Sequence, residues 1–253
     1  MDTERYFIHL SYDGSAYYGW QVQNNAITVQ QKIEEALSLL TSTQISITGC
    51  GRTDTGVHAR NFYAHFNYRP QDDVQLAQLT HRLNRFLPND ISIYSIKRVN
   101  KEAHARFSAQ WRSYTYYIQL AKNPFNRGYA WHQPKQPDID LMEQACKILL
   151  QTTDFTSFSK LHTQTATNNC NVVEAYWQQE GDLLTFNIKA DRFLRNMVRA
   201  IVGTLLKVGL KQLSIEQFQD LINKKDRCEA GMSVPAQGLF LENVEYPRDV
   251  FIF

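Results

Sequence analysis

The sequence lacks most of the signatures by which enzymes of this size are recognised. Its four cysteines, Cys50, Cys146, Cys170 and Cys228, stand far apart and form neither a CxxC pair nor a zinc spacing. A reduced, cytoplasmic protein is the expectation. The seven histidines, His9, His58, His65, His81, His104, His132 and His162, include no HxxxH pair, so metal-assisted hydrolysis finds no ligand set. There is no G-x-S-x-G elbow for a Ser/His/Asp nucleophile. Neither G-x-x-x-x-G-K-[ST] nor G-x-G-x-x-G is present to cradle phosphates. No apolar run reaches the length of a bilayer span. The opening residues Met1-Asp2-Thr3-Glu4-Arg5 carry acids and no apolar stretch, so no signal peptide is expected. Low-complexity tracts and short repeats are missing too.

What is present reads as a soluble globular chain. It has 253 residues, 43% hydrophobic and 21% charged, enough for one large domain or two small ones with their own cores. The formal net charge is only +2, so any basic surface has to be local. It is. Lys97, Arg98, Lys101, Arg106 and Arg112 fall in one stretch with a single acid, Glu102. Lys189, Arg192, Arg195, Arg199, Lys207 and Lys211 fall in another, against Asp191. Concentrated basic stretches in a near-neutral chain suit a polyanion partner, although two solvated faces would read the same way.

Periodicity divides the chain into two similar halves. Strands are expected over Tyr6 to Tyr12, Ile45 to Gly49, Phe62 to Tyr68 and Ile91 to Val99. Helices fall between them, one opened by Thr28 with Gln31 three residues on in a capping-box pattern, the other marked by Leu76, Leu79 and Leu83. The second half restarts with a strand over Tyr114 to Leu120 and a helix capped by Asp138. A hairpin around Glu180-Gly181-Asp182 follows, then helices over about 191–208 and 215–222 and a last strand from Leu239 to Tyr246. The expectation is an α+β fold of two domains, 1–103 and 104–253, joined near 100–111. In the helix over 191–208, Arg192, Arg195 and Arg199 fall within about 60° of one another, opposite Leu194, Met197, Ile201, Leu205 and Val208. Gly203 lies on the arginine side, where it permits a close approach. Arg199 sits deepest in the apolar run and is expected to be partly buried, in need of a carboxylate.

One stretch stands apart, GCGRTDTGVHAR from Gly49 to Arg60. Its Asp54 has no second acid within ten residues on either side. An Asx-turn at Thr55-Gly56 would account for it structurally. An aspartic protease would not, because that chemistry needs two carboxylates sharing a proton and the chain holds no second DTG or DSG.

The segment GRTDTGVHA, Gly51 to Ala59, closely resembles the active-site segment of the tRNA pseudouridine synthase A family. The resemblance continues in order along nearly the whole chain. YDGSAYYGWQVQ (Tyr12 to Gln23) and TVQ (Thr28 to Gln30) are similar to the family's N-terminal motifs, and HARFSAQWRSYTY (His104 to Tyr116) to its middle motif. DFTSF (Asp154 to Phe158), FLRNMVRAIVG (Phe193 to Gly203) and GLFLENVEYP (Gly238 to Pro247) complete the series.

That resemblance implies two ferredoxin-like-related domains, antiparallel or mixed sheets flanked by helices, with the active-site cleft between them. It implies isomerisation of uridine to pseudouridine in the anticodon stem-loop of tRNA, at roughly positions 38 to 40, by a homodimer that needs no cofactor, no metal and no membrane. A lone carboxylate suffices for such chemistry, acting as nucleophile or general base. By motif position Asp54 is that residue. Tyr114 matches the active-site tyrosine, able to stack on the extruded uracil. Arg199 matches the arginine whose charge keeps the aspartate ionised. Arg52 would hold the flipped nucleotide, and His58 and Arg106 join Arg52 and Tyr114 as substrate-binding residues. The chain departs from the family after DFTSF, where basic residues are usual but Leu161 to Val173 holds no Lys or Arg. The rival reading is a non-catalytic RNA-binding or tRNA-folding module on the same scaffold.

Overall fold

The computed structural model describes residues 3–69, 73–160 and 167–252, apart from the side chains of residues 73 and 74. It is mixed α/β and divides into two compact units, residues 1–110 with 241–253, and residues 111–240. The C-terminal strand thus returns the chain to the first unit. Residues 161–166 of the non-basic stretch, His162 among them, lie outside the described residues, as do Met1 and Asp2.

In the first unit β1 (Glu4–Tyr12) is flanked by two antiparallel neighbours, β3 (His58–Tyr68) and β4 (Ile91–Arg98). A two-residue strand β2 (Thr48–Gly49) lies on β3. Tyr6, Ile8, Leu10 and Tyr12 alternate into the core with Phe62, Ala64 and Phe66 of β3. Helix α1 (Val29–Thr41) buries Val29, Ile33, Ala36 and Leu37. Thr28 caps it, its hydroxyl accepting from the Gln31 N–H at 3.3 Å. The reciprocal half of the capping box is replaced, for the Gln31 amide donates to Glu35 instead. Helix α2 (Asp73–Phe86) ends one residue short of Leu87-Pro88.

The strand expected over Ile45 to Gly49 shrinks to β2 because α1 takes its hydrogen bonds. Ser38 Oγ accepts from the Ile45 N–H and Glu34 Oε1 from the Ile47 N–H. Side chains of the helix thus replace the missing sheet neighbour, while Ile45 and Ile47 stay buried.

In the second unit β5 (Trp111–Gln119) pairs antiparallel with β8 (Leu183–Ala190), which pairs with β7 (Val172–Glu180). The β7–β8 hairpin turns at Gly181, whose φ of 56° is the left-handed value glycine tolerates best. The short β6 (Trp131–His132) runs parallel to β5. Three helices complete the unit: α3 (Ile139–Gln151), α4 (Met197–Gly209) and α5 (Ile215–Lys224). Asp138 caps α3 by accepting from the Leu141 N–H. The DFTSF motif belongs to this core, with Phe155 and Phe158 fully buried and the Ser157 hydroxyl donating to the Leu221 carbonyl at α5. Finally β9 (Leu239–Glu245) crosses back to the first unit, where it neighbours β3 and the Asn61 amide donates to the Glu242 carbonyl. The order β4-β1-β3-β2, antiparallel throughout and built from β1, α1, β2, β3, α2 and β4 in chain order, is the ferredoxin-like arrangement, with β9 added beside β3.

The first unit carries a titration that links pH to stability. His65 on β3 is 9% exposed, and its Nδ1 accepts the Ala105 N–H at 3.1 Å. Burial first, then His104 and Arg5, push its pKa down from 6.5 to about 4. The unfolded chain therefore binds the extra proton first. The neutral ring's contribution is present in full above pH 6.5 and is lost as the pH falls toward 4. The difference is on the order of 3 kcal/mol. We expect His65→Asn, which keeps an acceptor near the Nδ1 position, to flatten urea-unfolding stability between those pH values. An unchanged pH slope would exclude His65 as its source.

Candidate active site

Asp54 sits on the loop that leaves β2 and enters β3, and the N-terminal motif holds that loop from behind. Two glycines allow the contact. At Gly14 an added Cβ would stand 2.0 Å from the Val57 carbonyl oxygen. At Gly19, φ is +88° and a Cβ would stand 2.3 Å from the Thr53 carbonyl oxygen. Main-chain bonds then pin both sides: the Trp20 N–H donates to the Thr53 carbonyl at 3.3 Å and the Gly56 N–H to the Tyr17 carbonyl at 3.3 Å. The Tyr12 hydroxyl shares a 2.9 Å hydrogen bond with the Thr53 hydroxyl. Behind the loop, Trp20 stacks on Phe62 at 4.0 Å, and Gly49 leaves room for the indole.

The turn after Asp54 is closed by main chain. The Val57 N–H donates to the Asp54 carbonyl at 3.1 Å, and Gly56 at φ 77° takes the position that a type II turn reserves for glycine. Asp54 is half-buried and Arg52 exposed. Three residues beyond Gly14, Tyr17 donates its hydroxyl to Asp90 at 2.6 Å, and burial together with that bond drives its pKa far up, so the phenol stays protonated.

His58 takes a different place from the one expected of a substrate contact. It is 1% exposed, and its Nδ1 lies 3.1 Å from the Gly14 nitrogen and 3.0 Å from the Asp13 carboxylate. A ring this buried acts on the turn that carries Gly14 and does not present an edge to a nucleotide. Arg106 is exposed, on the loop that follows β4.

In the second unit Tyr114 lies on β5 opposite Ile188 of β8, half-buried, with its ring edge-on to Phe193 at 5.0 Å. Arg199 lies in the first turn of α4, half-buried as expected. Its position is fixed by the segment 231–235. Arg199 Nε donates to the Val234 carbonyl at 2.7 Å, and the Val234 N–H returns a bond to the Arg199 carbonyl at 3.3 Å. The expected close approach at Gly203 is found here, for a Cβ there would stand 2.0 Å from the Met232 carbonyl oxygen. The Gly231 N–H donates to the Thr204 hydroxyl at 2.9 Å, and the buried Tyr116 hydroxyl donates to the Pro235 carbonyl at 2.8 Å. Burial raises the Tyr116 pKa strongly, with Arg199 nearby as a smaller opposing influence.

The three-arginine helical face is not formed. The helix begins at Met197, and residues 191–196 precede it as an irregular segment, so Arg192 and Arg195 are off the helix. Two interactions stop the helix from extending backward. Asn196 takes a left-handed φ of 66°, and the Asp191 carboxylate accepts from the N–H groups of Asn171 and Arg192, both at 2.7 Å.

The residues that frame the loops went unrecognised in the sequence: Gly14, Gly19, Tyr12 and Tyr17 around Asp54, and Val234 beside Arg199. Their only signal was the spacing of glycines within motifs. Among the described residues, no three His, Cys, Asp or Glu side chains lie close enough to hold a metal ion, and no helix is long and apolar enough to cross a membrane.

A family model described as tRNA pseudouridine synthase matches residues 9–108 and 145–247. The chain is 54% identical to the tRNA pseudouridine synthase A of Parabacteroides distasonis, covering 98% of each chain. It is 48% identical to the protein of that name from Bacteroides fragilis, over 99% of this chain and 100% of the other. To the one from Bacteroides thetaiotaomicron it is 49% identical, over 98% and 93%. With the family model matched through both units and such identity held from end to end, the chain belongs to the tRNA pseudouridine synthase family.

Proposed function

We propose that this protein isomerises uridine to pseudouridine in the anticodon stem-loop of tRNA, at about positions 38, 39 and 40, with Asp54 as the single catalytic carboxylate and without a cofactor. The observation that carries the proposal is the setting of Asp54. A half-buried carboxylate stands on a loop whose main chain is pinned at Thr53 and Gly56 by a dedicated motif and closed on itself by the Val57 N–H bond to the Asp54 carbonyl. Such pinning is what positional chemistry requires, since a reacting group must be held within a fraction of an ångström. In the reaction the C1′–N1 bond breaks, the base turns, a C1′–C5 bond forms, the C5 proton goes to solvent and N1 gains one. Asp54 serves as nucleophile or general base. Tyr114 offers the ring on which the flipped uracil stacks, Arg199 a cation for the reaction, and Arg52 and Arg106 contacts to the RNA. His58 acts as a positioning residue behind the loop. The family resemblance supports the same reading for a cytoplasmic homodimer that binds tRNA across both subunits.

The test is tritium release from a tRNA transcript labelled at uridine C5, with pseudouridine mapped by carbodiimide-blocked primer extension. Release with stops confined to the anticodon stem-loop is the expected result. Binding without release from several tRNAs would favour the non-catalytic RNA-binding module. Arg199→Ala should lower the rate about 10²-fold and also the melting temperature, because a charge-assisted bond to Val234 of about 1.5–3 kcal/mol is lost with it. A fully active, equally stable variant would remove Arg199 from the site.

A further inference from the structure

Asp90 lies in the turn between α2 and β4, outside every motif that points to the reaction. It holds the segment 13–17 at both ends. Its carbonyl accepts the Asp13 N–H at 2.9 Å, and its carboxylate accepts the Tyr17 hydroxyl at 2.6 Å. A hydroxyl-to-carboxylate bond of that length belongs to the short, strong class. The turn that makes the grip is itself closed, since the Ile91 N–H donates to the Pro88 carbonyl at 3.1 Å. Between the two fastened ends the Tyr17 N–H bonds to the Gly14 carbonyl at 3.0 Å, so the segment is braced from within as well. Tyr17 is 4% exposed. Its ring is therefore no contact for a nucleotide, and little water competes for its hydroxyl.

The Asp54 loop rests on this same segment. The Gly56 N–H donates to the Tyr17 carbonyl at 3.3 Å, and the main chain at Gly14 lies so near the Val57 carbonyl that no Cβ fits between them. Val57 in turn bonds to the Asp54 carbonyl. Among the described residues Asp90 makes no hydrogen bond to residues 53–57, so its influence on Asp54 passes through the segment it holds. If the Tyr17 hydroxyl were released, that segment would be fastened at Asp13 alone. The carbonyl that receives Gly56 could then shift by a fraction of an ångström, more than a reacting carboxylate tolerates. Resting on the pseudouridine synthase reading above, we propose that Asp90 is a positioning residue for the isomerisation, which through the Tyr17 hydroxyl sets the place of the turn carrying Asp54 and so acts on the chemical step and not on tRNA binding.

The test measures three quantities on the full chain: single-turnover tritium release at saturating C5-labelled tRNA, the Kd for that tRNA, and the melting temperature. Asp90→Ala and Tyr17→Phe should each lower the rate per folded molecule about 10-fold, with Kd within about two-fold of wild type. The double variant should be no slower than either single one, because both remove the same bond. Asp90→Asn keeps an oxygen that can accept the Tyr17 hydroxyl and should recover most of the rate. Should Asp90→Ala fail to fold, Tyr17→Phe carries the test, since it removes one oxygen from an otherwise unchanged ring. A role confined to stability would lower the melting temperature and leave the rate per folded molecule at the wild-type value, and that result would overturn the assignment. So would rate losses that multiply in the double variant, or a Kd that rises as the rate falls. If the wild type released no tritium from any tRNA, the function proposed above would fall and this role with it. If the wild type released tritium and Tyr17→Phe and Asp90→Ala matched it, only the positioning role would fall.

Discussion

Asp54→Asn should lower tritium release from C5-labelled tRNA by about 10³-fold or more, while tRNA binding stays within a few-fold of wild type. The amide is isosteric, so the loop should not move. The bonds that shape it, Trp20 to Thr53, Gly56 to Tyr17 and Val57 to Asp54, all run between main-chain groups and survive the substitution. What is removed is the negative charge and the basicity that a nucleophile or general base supplies. A neutral amide offers neither at any pH near 7, so lowering or raising the pH should not restore the rate. The variant therefore separates chemistry from recognition. A loss of binding equal to the loss of rate would make Asp54 a binding residue, and an undiminished rate would return the site to the non-catalytic reading.

The first unit was readable in the sequence because its elements are local. β1, α1, α2 and β4 each follow from a period and a cap that lie within ten or fifteen residues. Asp54 could be singled out because glycines and the lack of neighbouring acids made the stretch unusual. Two misreadings share one physical cause. Over Ile45 to Ile47 the apolar pattern was right and the partner wrong, since hydrogen bonds that a strand would take come from Ser38 and Glu34 on a helix. Over residues 191–196 the arginine spacing was helical, but the Asp191 carboxylate competes for the main chain and Asn196 turns left-handed. Periodicity records which side chains want burial and is silent about which donors and acceptors will satisfy the backbone. The frame of Arg199 was hidden for a related reason. Its partner is the carbonyl of Val234, thirty-five residues on, and a carbonyl carries no sequence signature.

That same silence makes a glycine the sharpest place to test the site without touching a reacting group. Gly14→Ala should cost about 2–4 kcal/mol and lower the melting temperature by roughly 5–15 °C. Among correctly folded molecules it should also reduce turnover about 10²-fold. The added Cβ would lie 2.0 Å from the Val57 carbonyl oxygen, where real contacts essentially never fall below 3.0 Å, so one backbone must retreat from the other. The turn cannot easily do so. The Asp13 N–H is held by the Asp90 carbonyl at 2.9 Å, the Gly14 N–H by the buried His58, and the Tyr17 N–H by the Gly14 carbonyl at 3.0 Å. The displacement passes to Val57 instead, and from Val57 through its bond to the Asp54 carbonyl into the carboxylate's own position. Gly51→Ala provides the internal comparison. It lies three residues from Asp54, yet its Cβ would meet nothing within 4 Å, so its melting temperature should match the wild type. Equal stability in the two variants would mean that the motif around Gly14 does not hold the loop. A destabilised Gly14→Ala whose folded fraction turned over at the wild-type rate would mean that it holds the loop without setting the reach of Asp54.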